Sequence, residues 1–206
     1  LGAAIIKVSF ADWWRVLEQR RFGGADGFFV HPVSDPAVIA GNASIGFEIA
    51  EDLPSVEAVL GPYGGGGLST GIAVALKHLI PAAKVVAVEP STAAPFGASL
   101  AAGRPVAVDY QPSFIDGAGG KAVLPEMWPL ASTLLAGAVS VSPAETAEAV
   151  RLLAERARVV AEGAGALALA ASRCEIVSGK TIVCVVSGGN IDLARLATIL
   201  AGQVPR

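Results

Sequence analysis

Apolar positions along the chain follow two alternating rhythms. Short, nearly unbroken apolar runs at Ala4–Val8, 27–32, 56–64, 84–90, 138–142 and 180–190 predict strands. The run "KVVAVEP" (84–90) is of the kind that parallel sheets bury on both faces. Between these runs, apolar residues recur three and four apart and predict helices. Ser9 can cap the first helix, Asp12 sits at its third position, and Gly23–Gly24 would stop it. The helix predicted over 35–52 opens with Pro36, and Ala37, Ile39, Ala40, Ile45, Phe47 and Ile49 supply its apolar surface. Helices are also predicted over 69–80, around Ala93–Ala102, and over 161–172 and 191–202. Ser142-Pro143-Ala144-Glu145 forms a capping box that opens a further helix, with Val150, Leu153, Ala154 and Ala157 following at helical spacing. Residues 103–137, rich in Gly and Pro, read as irregular. Strands alternating with helices predict an α/β fold: a mainly parallel sheet flanked by helices.

Composition narrows the class. Of 206 residues, 53% are hydrophobic and 16% charged, which excludes a disordered chain. The mean hydropathy of +0.59 raises the question of a membrane span. The two longest uncharged runs, Ala58–Leu76 and Met127–Ala144, are broken by Gly and Pro, so no transmembrane helix is expected. A net charge of −3 without a basic cluster gives no footprint for nucleic acid. Cys174 and Cys184 make neither a CxxC motif nor a disulfide framework. With no signal peptide, a cytoplasmic protein with reduced thiols is the default expectation.

The strongest local feature is "GPYGGGGLSTG" (61–71). Four consecutive glycines are entropically costly, so they need a reason. They follow a predicted strand and precede a predicted helix, which places them at the carboxyl edge of the sheet, where ligands bind in such folds. Bare backbone N–H groups and the positive end of a helix dipole favour an anion, most simply one phosphate. GxGxxG does not fit, because the third glycine position falls on Ser69 or Thr70, and no Walker A Gly-Lys-Ser/Thr occurs. The alternative is a turn that merely permits tight packing. Gly67-Leu68-Ser69-Thr70-Gly71 matches GxSxG formally, but no His partner for a nucleophile is evident.

Three further features are each ambiguous alone. "VVSGGN" (185–190) is a second strand-to-glycine loop on the same expected edge, offering a hydroxyl at Ser187 and an amide at Asn190. Otherwise Asn190 simply caps the last helix. Glu162 sits between an apolar run and a small-residue helix; alternatively it is a first-turn glutamate favoured by the dipole. Asp116 belongs to ordinary Asp-Gly turn chemistry. His31 and His78 read as structural, and no spacing of His, Cys, Asp or Glu suggests a metal site.

Taken together and in order, "FFVHPVSDPAVIAGNASIGFEI" (28–49), "GPYGGGGLSTGIA" (61–73), "AEGAGALALAA" (161–171) and "VVSGGNIDL" (185–193) resemble the fold-type-II pyridoxal-phosphate enzymes. The resemblance is to their threonine/serine dehydratase and serine racemase group, and it covers nearly the whole chain. It implies the tryptophan synthase beta-like fold and pyridoxal 5'-phosphate as cofactor. Gly64, Gly65, Gly66, Gly67 and the amide of Leu68 would bind the cofactor phosphate. Ser187 would meet the pyridine nitrogen as a neutral partner, Glu162 would lie near the ring, and Gly188, Gly189 and Asn190 would shape the same wall. The implied reaction is ammonia release from a threonine- or serine-type β-hydroxy amino acid, giving a 2-oxo acid. Racemisation, or another β-elimination or replacement, is the nearest alternative. The family's habit is a homodimer acting on a small amino-acid substrate.

The resemblance also sets expectations about what this sequence lacks. None of Lys7, Lys77, Lys84, Lys121 and Lys180 has the context of the family's Schiff-base lysine, and the substrate-carboxylate loop is not found. The chain therefore reads as N-terminally incomplete, with 1–32 a remainder of the small domain and 33–206 the large cofactor-binding domain. Asp116 has a counterpart in the metal site of some members, but Gln111 and Pro112 replace the upstream acid, so no metal is expected. A non-catalytic module that binds a phosphate ligand is the reading from another functional class.

Overall fold

The structure is a computed structural model that describes residues 2–173 and 180–205; Cys174 lies outside the described residues. Four strands form one parallel sheet: β1 (Ala58–Pro62), β2 (Lys84–Pro90), β3 (Gly137–Val141) and β4 (Ile182–Cys184). Their spatial order is β3-β2-β1-β4. The chain moves outward from β1 through β2 to β3, then returns to place β4 on the other side of β1. The gap between the carboxyl ends of β1 and β4 is thus the sheet's topological switch point, where open α/β folds hold ligands.

Alternate residues of the central strands feed two separate cores. Val59, Val85 and Ala87 face one cluster with Tyr63, Ile72, Leu76 and Phe96. Leu60 and Val88 face the other, with Val150, Leu167 and Ile199. Both faces are covered, as the apolar runs require.

Eight α-helices surround the sheet among the described residues. They are α1 (Phe10–Gln19), α2 (Pro36–Asp52), α3 (Gly67–Leu79), α4 (Pro95–Ala102), α5 (Trp128–Leu134), α6 (Pro143–Leu152), α7 (Gly163–Ala171) and α8 (Leu193–Leu200). The capping box at Ser142 and Glu145 is present, and α6 runs on into a π-helical turn, Leu153–Ala157. Ser9 caps α1 as expected, but α1 ends at Arg20, which takes a left-handed conformation, ahead of Gly23–Gly24.

Several expectations are corrected. Ala4–Val8 and 27–32 form no strand among the described residues. An isolated extended segment has no neighbouring backbone to satisfy its N–H and C=O groups. Within 103–137, read as irregular, Trp128–Leu134 is helical, with Pro129 in its first turn. In α2 Ile45 and Ile49 pack on the core as expected, but the buried positions are Ala43 and Gly46, and Phe47 is exposed. The reason is the close approach of α3: a methyl on Gly46 would stand 2.7 Å from Ala75 Cβ, and one on Gly71 2.6 Å from the Ile39 carbonyl. Small residues, not large ones, let these helices meet.

Candidate functional site

β1 ends at Pro62, and the chain then turns through Tyr63 to the four glycines. Gly66 takes φ +96°, a conformation natural to glycine, and α3 starts at Gly67, two residues before the expected Ser69. Gly66 stands at the cap position and offers no side chain, so no side-chain cap satisfies the first N–H groups of this thirteen-residue helix. Side chains at Gly65, Gly66 and Gly67 would collide with their neighbours. A methyl on Gly65 would lie 2.5 Å from Val33 Cγ2, and one on Gly67 would lie 2.6 Å from the Val33 carbonyl.

The loop opens into a cavity of about 570 Å³. Gly64, Gly65, Gly66, Gly67 and Leu68 line one side, and Glu162 and Ser187 line another. Residues distant in sequence thus converge on one space. A second concavity of about 470 Å³, between α6 and α7, gathers none of the candidate residues.

Ser187 is exposed toward the cavity, two residues past Val185, whose N–H donates to the Leu60 carbonyl at 3.0 Å. Glu162 precedes α7, makes no cap bond to it, and is half-buried. Its N–H donates to the Gly188 carbonyl at 3.1 Å. Its carboxylate stands against Gly188, and a methyl on Gly117 would lie 3.5 Å from Oε1. Burial, and secondarily the charge of Asp116, push the Glu162 carboxyl up. Glu162 thus stands at the cap position of α7, one residue ahead of the first turn considered from sequence. Asp116 is held by Arg195 at 3.0 Å.

Gly188 backs Glu162 without lining the cavity, and Asn190 is exposed outside it. Asn190 does not cap the last helix either: Asp192 does, accepting from Ala194 N–H at 2.8 Å. Gly189 packs on Val160, where a methyl would stand 2.5 Å from the carbonyl. Ser69 is fully buried and donates to the Pro62 carbonyl at 3.0 Å, so its hydroxyl ties α3 to the end of β1. That geometry removes the GxSxG nucleophile.

Sequence reasoning missed two parts of the site. Pro32, Val33, Asn42 and Ile45 also line the cavity, supplied by the turn into α2 and by α2 itself, with Val33 packed directly against Gly65 and Gly67. Beneath the loop, the Tyr63 ring underlies Gly66 and stacks on Phe96 with centroids 4.5 Å apart. Phe96 and Gly97 donate their N–H groups to the buried Glu89 carboxylate at 2.8 Å each. Glu89 thus caps α4 from the neighbouring strand, because Ala94 at the cap position cannot. Burial pushes its carboxyl up to about 7. The Gly-Pro-Tyr spacing gave no sign of this floor.

The family model described as "Pyridoxal-phosphate dependent enzyme" matches residues 1–188. The chain belongs to this family. An L-threonine ammonia-lyase of Thermotoga maritima is 43% identical over 173 residues, 84% of this chain and 43% of that protein. Serine racemase of Rattus norvegicus is 33% identical over 210 residues, 99% of this chain and 63% of that protein. Among solved structures, the processed form of threonine deaminase isoform 2 from Solanum lycopersicum matches with a TM-score of 0.78 at 32% identity, covering 85% of this chain and 52% of that one. The chain spans about half the length of the relatives it matches.

The cofactor of this family is pyridoxal phosphate, and the cavity fits its phosphate end. The glycine loop leaves no free space for a Cβ at Gly65, Gly66 or Gly67, presents a helix N-terminus without a side-chain cap, and carries no acidic side chain of its own. No lysine is among the cavity's lining residues. Among the described residues no group of His, Cys, Asp and Glu is arranged to hold a metal ion, and no helix is long and apolar enough to cross a membrane.

Proposed function

We propose that the protein to which this chain belongs is a pyridoxal-phosphate ammonia-lyase acting on threonine- or serine-type β-hydroxy amino acids. The observation that carries the reading is the single cavity shared by the glycine loop, Glu162 and Ser187. In the assigned roles, the amides of Gly64, Gly65, Gly66, Gly67 and Leu68 hold the phosphate, aided by the dipole of α3. The Ser187 hydroxyl meets the pyridine nitrogen without charge. Glu162, with a carboxyl raised by burial, stays close to the ring edge and discriminates against a second negative charge. Gly188 leaves room for that carboxylate, and Asn190 belongs to the outer wall.

Bound in this way, pyridoxal phosphate supplies an electron-withdrawing ring that acidifies the substrate α C–H. A lysine is needed to take that proton and to carry the cofactor. The reading assigns it to the portion of the relatives' length outside this span. The β-hydroxyl then leaves as water, and the released enamine takes up water to give a 2-oxo acid and ammonia. A neutral partner at the ring nitrogen suits such an elimination, which does not require the strongest electron sink.

Amino-acid racemisation is the second reading, favoured by the serine racemase match over 99% of this chain. The reading further assigns 1–32 to the small domain and 33–206 to the large one, a homodimeric assembly and a cytoplasmic location. The test incubates the full-length protein with L-threonine, L-serine and D-serine and measures 2-oxo acid, ammonia and enantiomer ratio. Ammonia and 2-oxo acid in equal amounts support the lyase. Racemised serine without ammonia supports the alternative, and neither product refutes both.

A further inference from the structure

His31 has no exposed surface, yet it is polar and lies just ahead of the cavity wall. Its Nδ1 accepts the N–H of Val33 at 3.1 Å and the N–H of Ser34 at 2.9 Å. A nitrogen that accepts two bonds carries no proton, so the neutral ring holds its hydrogen on Nε2. Nε2 completes no hydrogen bond; the Leu17 backbone lies by the ring and the Glu126 carboxylate is 4.0 Å away. The same Glu126 oxygen accepts from Ser34 Oγ at 3.0 Å, and Arg20 donates to Ser34 at 2.8 Å. α1, the 31–34 turn and the segment before α5 are therefore joined around one imidazole.

The turn that His31 braces presents Pro32 and Val33 to the cavity. Val33 meets the glycine loop twice, with its side chain at Gly65 and its carbonyl at Gly67. A leucine would fill the same volume, but it would leave two backbone N–H groups without their acceptor.

We propose that His31 is a positioning residue for the phosphate site, its Nδ1 setting the Val33 wall against Gly65 and Gly67 by holding the amides of Val33 and Ser34. The inference rests on reading the cavity as a phosphate site. It differs from a packing role because it depends on an acceptor atom, not on bulk. Burial and the nearby Arg20 charge hold the His31 pKa below its ordinary value, against opposing contributions from Glu126 and Asp35, so the accepting form prevails near neutrality.

The test is equilibrium dialysis of pyridoxal phosphate against full-length protein, comparing wild type, His31→Leu and His31→Asn. His31→Leu is expected to weaken binding about tenfold or more. His31→Asn is expected to bind within about threefold of wild type, because an Asn oxygen accepts from N–H groups two and three residues on. His31→Leu binding within about twofold of wild type overturns the inference, as does equal weakening in both variants. If the leucine variant does not fold, wild type and His31→Asn are compared from about pH 5 to 8. Protonation of Nδ1 expels the two amides, so wild-type affinity must fall more steeply in acid than that of the asparagine variant. Parallel curves overturn the inference. Wild type that binds no pyridoxal phosphate at all refutes the phosphate reading itself, a result distinct from wild-type-like binding by His31→Leu.

Discussion

Leu60 and Cys184 are paired in parallel register, and the next residue, Val185, donates its N–H to the Leu60 carbonyl at 3.0 Å. Leu60 and Cys184 are 124 positions apart in the chain, yet the strands that hold them run side by side in the same direction. The loops that follow must therefore leave the sheet at one edge. One carries the glycines and the other carries Ser187, and the cavity between them is the consequence of that pairing.

The contact between Gly65 and Val33 makes a prediction with an internal control. Gly65→Ala is expected to weaken phosphate binding about tenfold or more, because its methyl collides with Val33 Cγ2. Adding Val33→Ala removes the colliding carbons and should restore much of the loss. Gly67→Ala meets the Val33 carbonyl instead, so the same second substitution should not restore it. Competition dialysis with inorganic phosphate on all four variants measures this.

Glu89 couples the floor of the site to pH. Glu89→Ala strands the buried N–H of Phe96 and the part-buried N–H of Gly97 and should cost about 2 kcal/mol in urea unfolding. With its carboxyl raised to about 7, the folded protein keeps a proton that the unfolded chain has released at the same pH. The associated stability is complete below the unfolded value and is lost as pH rises through about 7. Glu89→Gln lacks that component, so its stability should fall less than wild type's between about pH 5 and 8.

Ser69 tests the discarded nucleophile. Its hydroxyl is committed to the Pro62 carbonyl in the interior. Ser69→Ala should lower stability by about 1 kcal/mol and leave 2-oxo acid production intact. Wild-type protein should not be labelled at Ser69 by a fluorophosphonate, as read by peptide mass.

Ser187 separates the two ends of the cofactor. Ser187→Ala should leave inorganic phosphate affinity within about twofold of wild type while slowing 2-oxo acid formation about tenfold. An unchanged rate and an unchanged absorbance spectrum would remove its assigned role.

Much of this architecture was legible because its signals are local. The run at 84–90 is apolar enough to mark a buried strand, the run at 180–190 yields only the short, half-buried Ile182–Cys184, and glycines after a strand mark a close approach of backbone to something. Ala4–Val8 carries the same local signal and yet forms no strand, since pairing depends on a neighbour that the sequence does not display. Gly64–Gly67, Glu162 and Ser187 were singled out by the glycine run and by the order of the motifs along the chain, and they line one cavity. Val33 and Asn42 were missed because ordinary residues acquire a role only from what α2 packs against. Glu89 was missed for a related reason: a strand glutamate gives no hint that it caps a helix six residues later. Asn190 misled as a candidate cap, since the capping side chain comes from Asp192 two residues on.

The central claim is that one pocket at the β1–β4 edge grips both ends of one cofactor. A crystal structure of the full-length protein with pyridoxal phosphate tests it most directly. The account predicts phosphate oxygens on the amides of Gly64 through Leu68 and the ring nitrogen at Ser187 Oγ. Density for the cofactor away from the glycine loop, or a ring nitrogen turned away from Ser187, would contradict it.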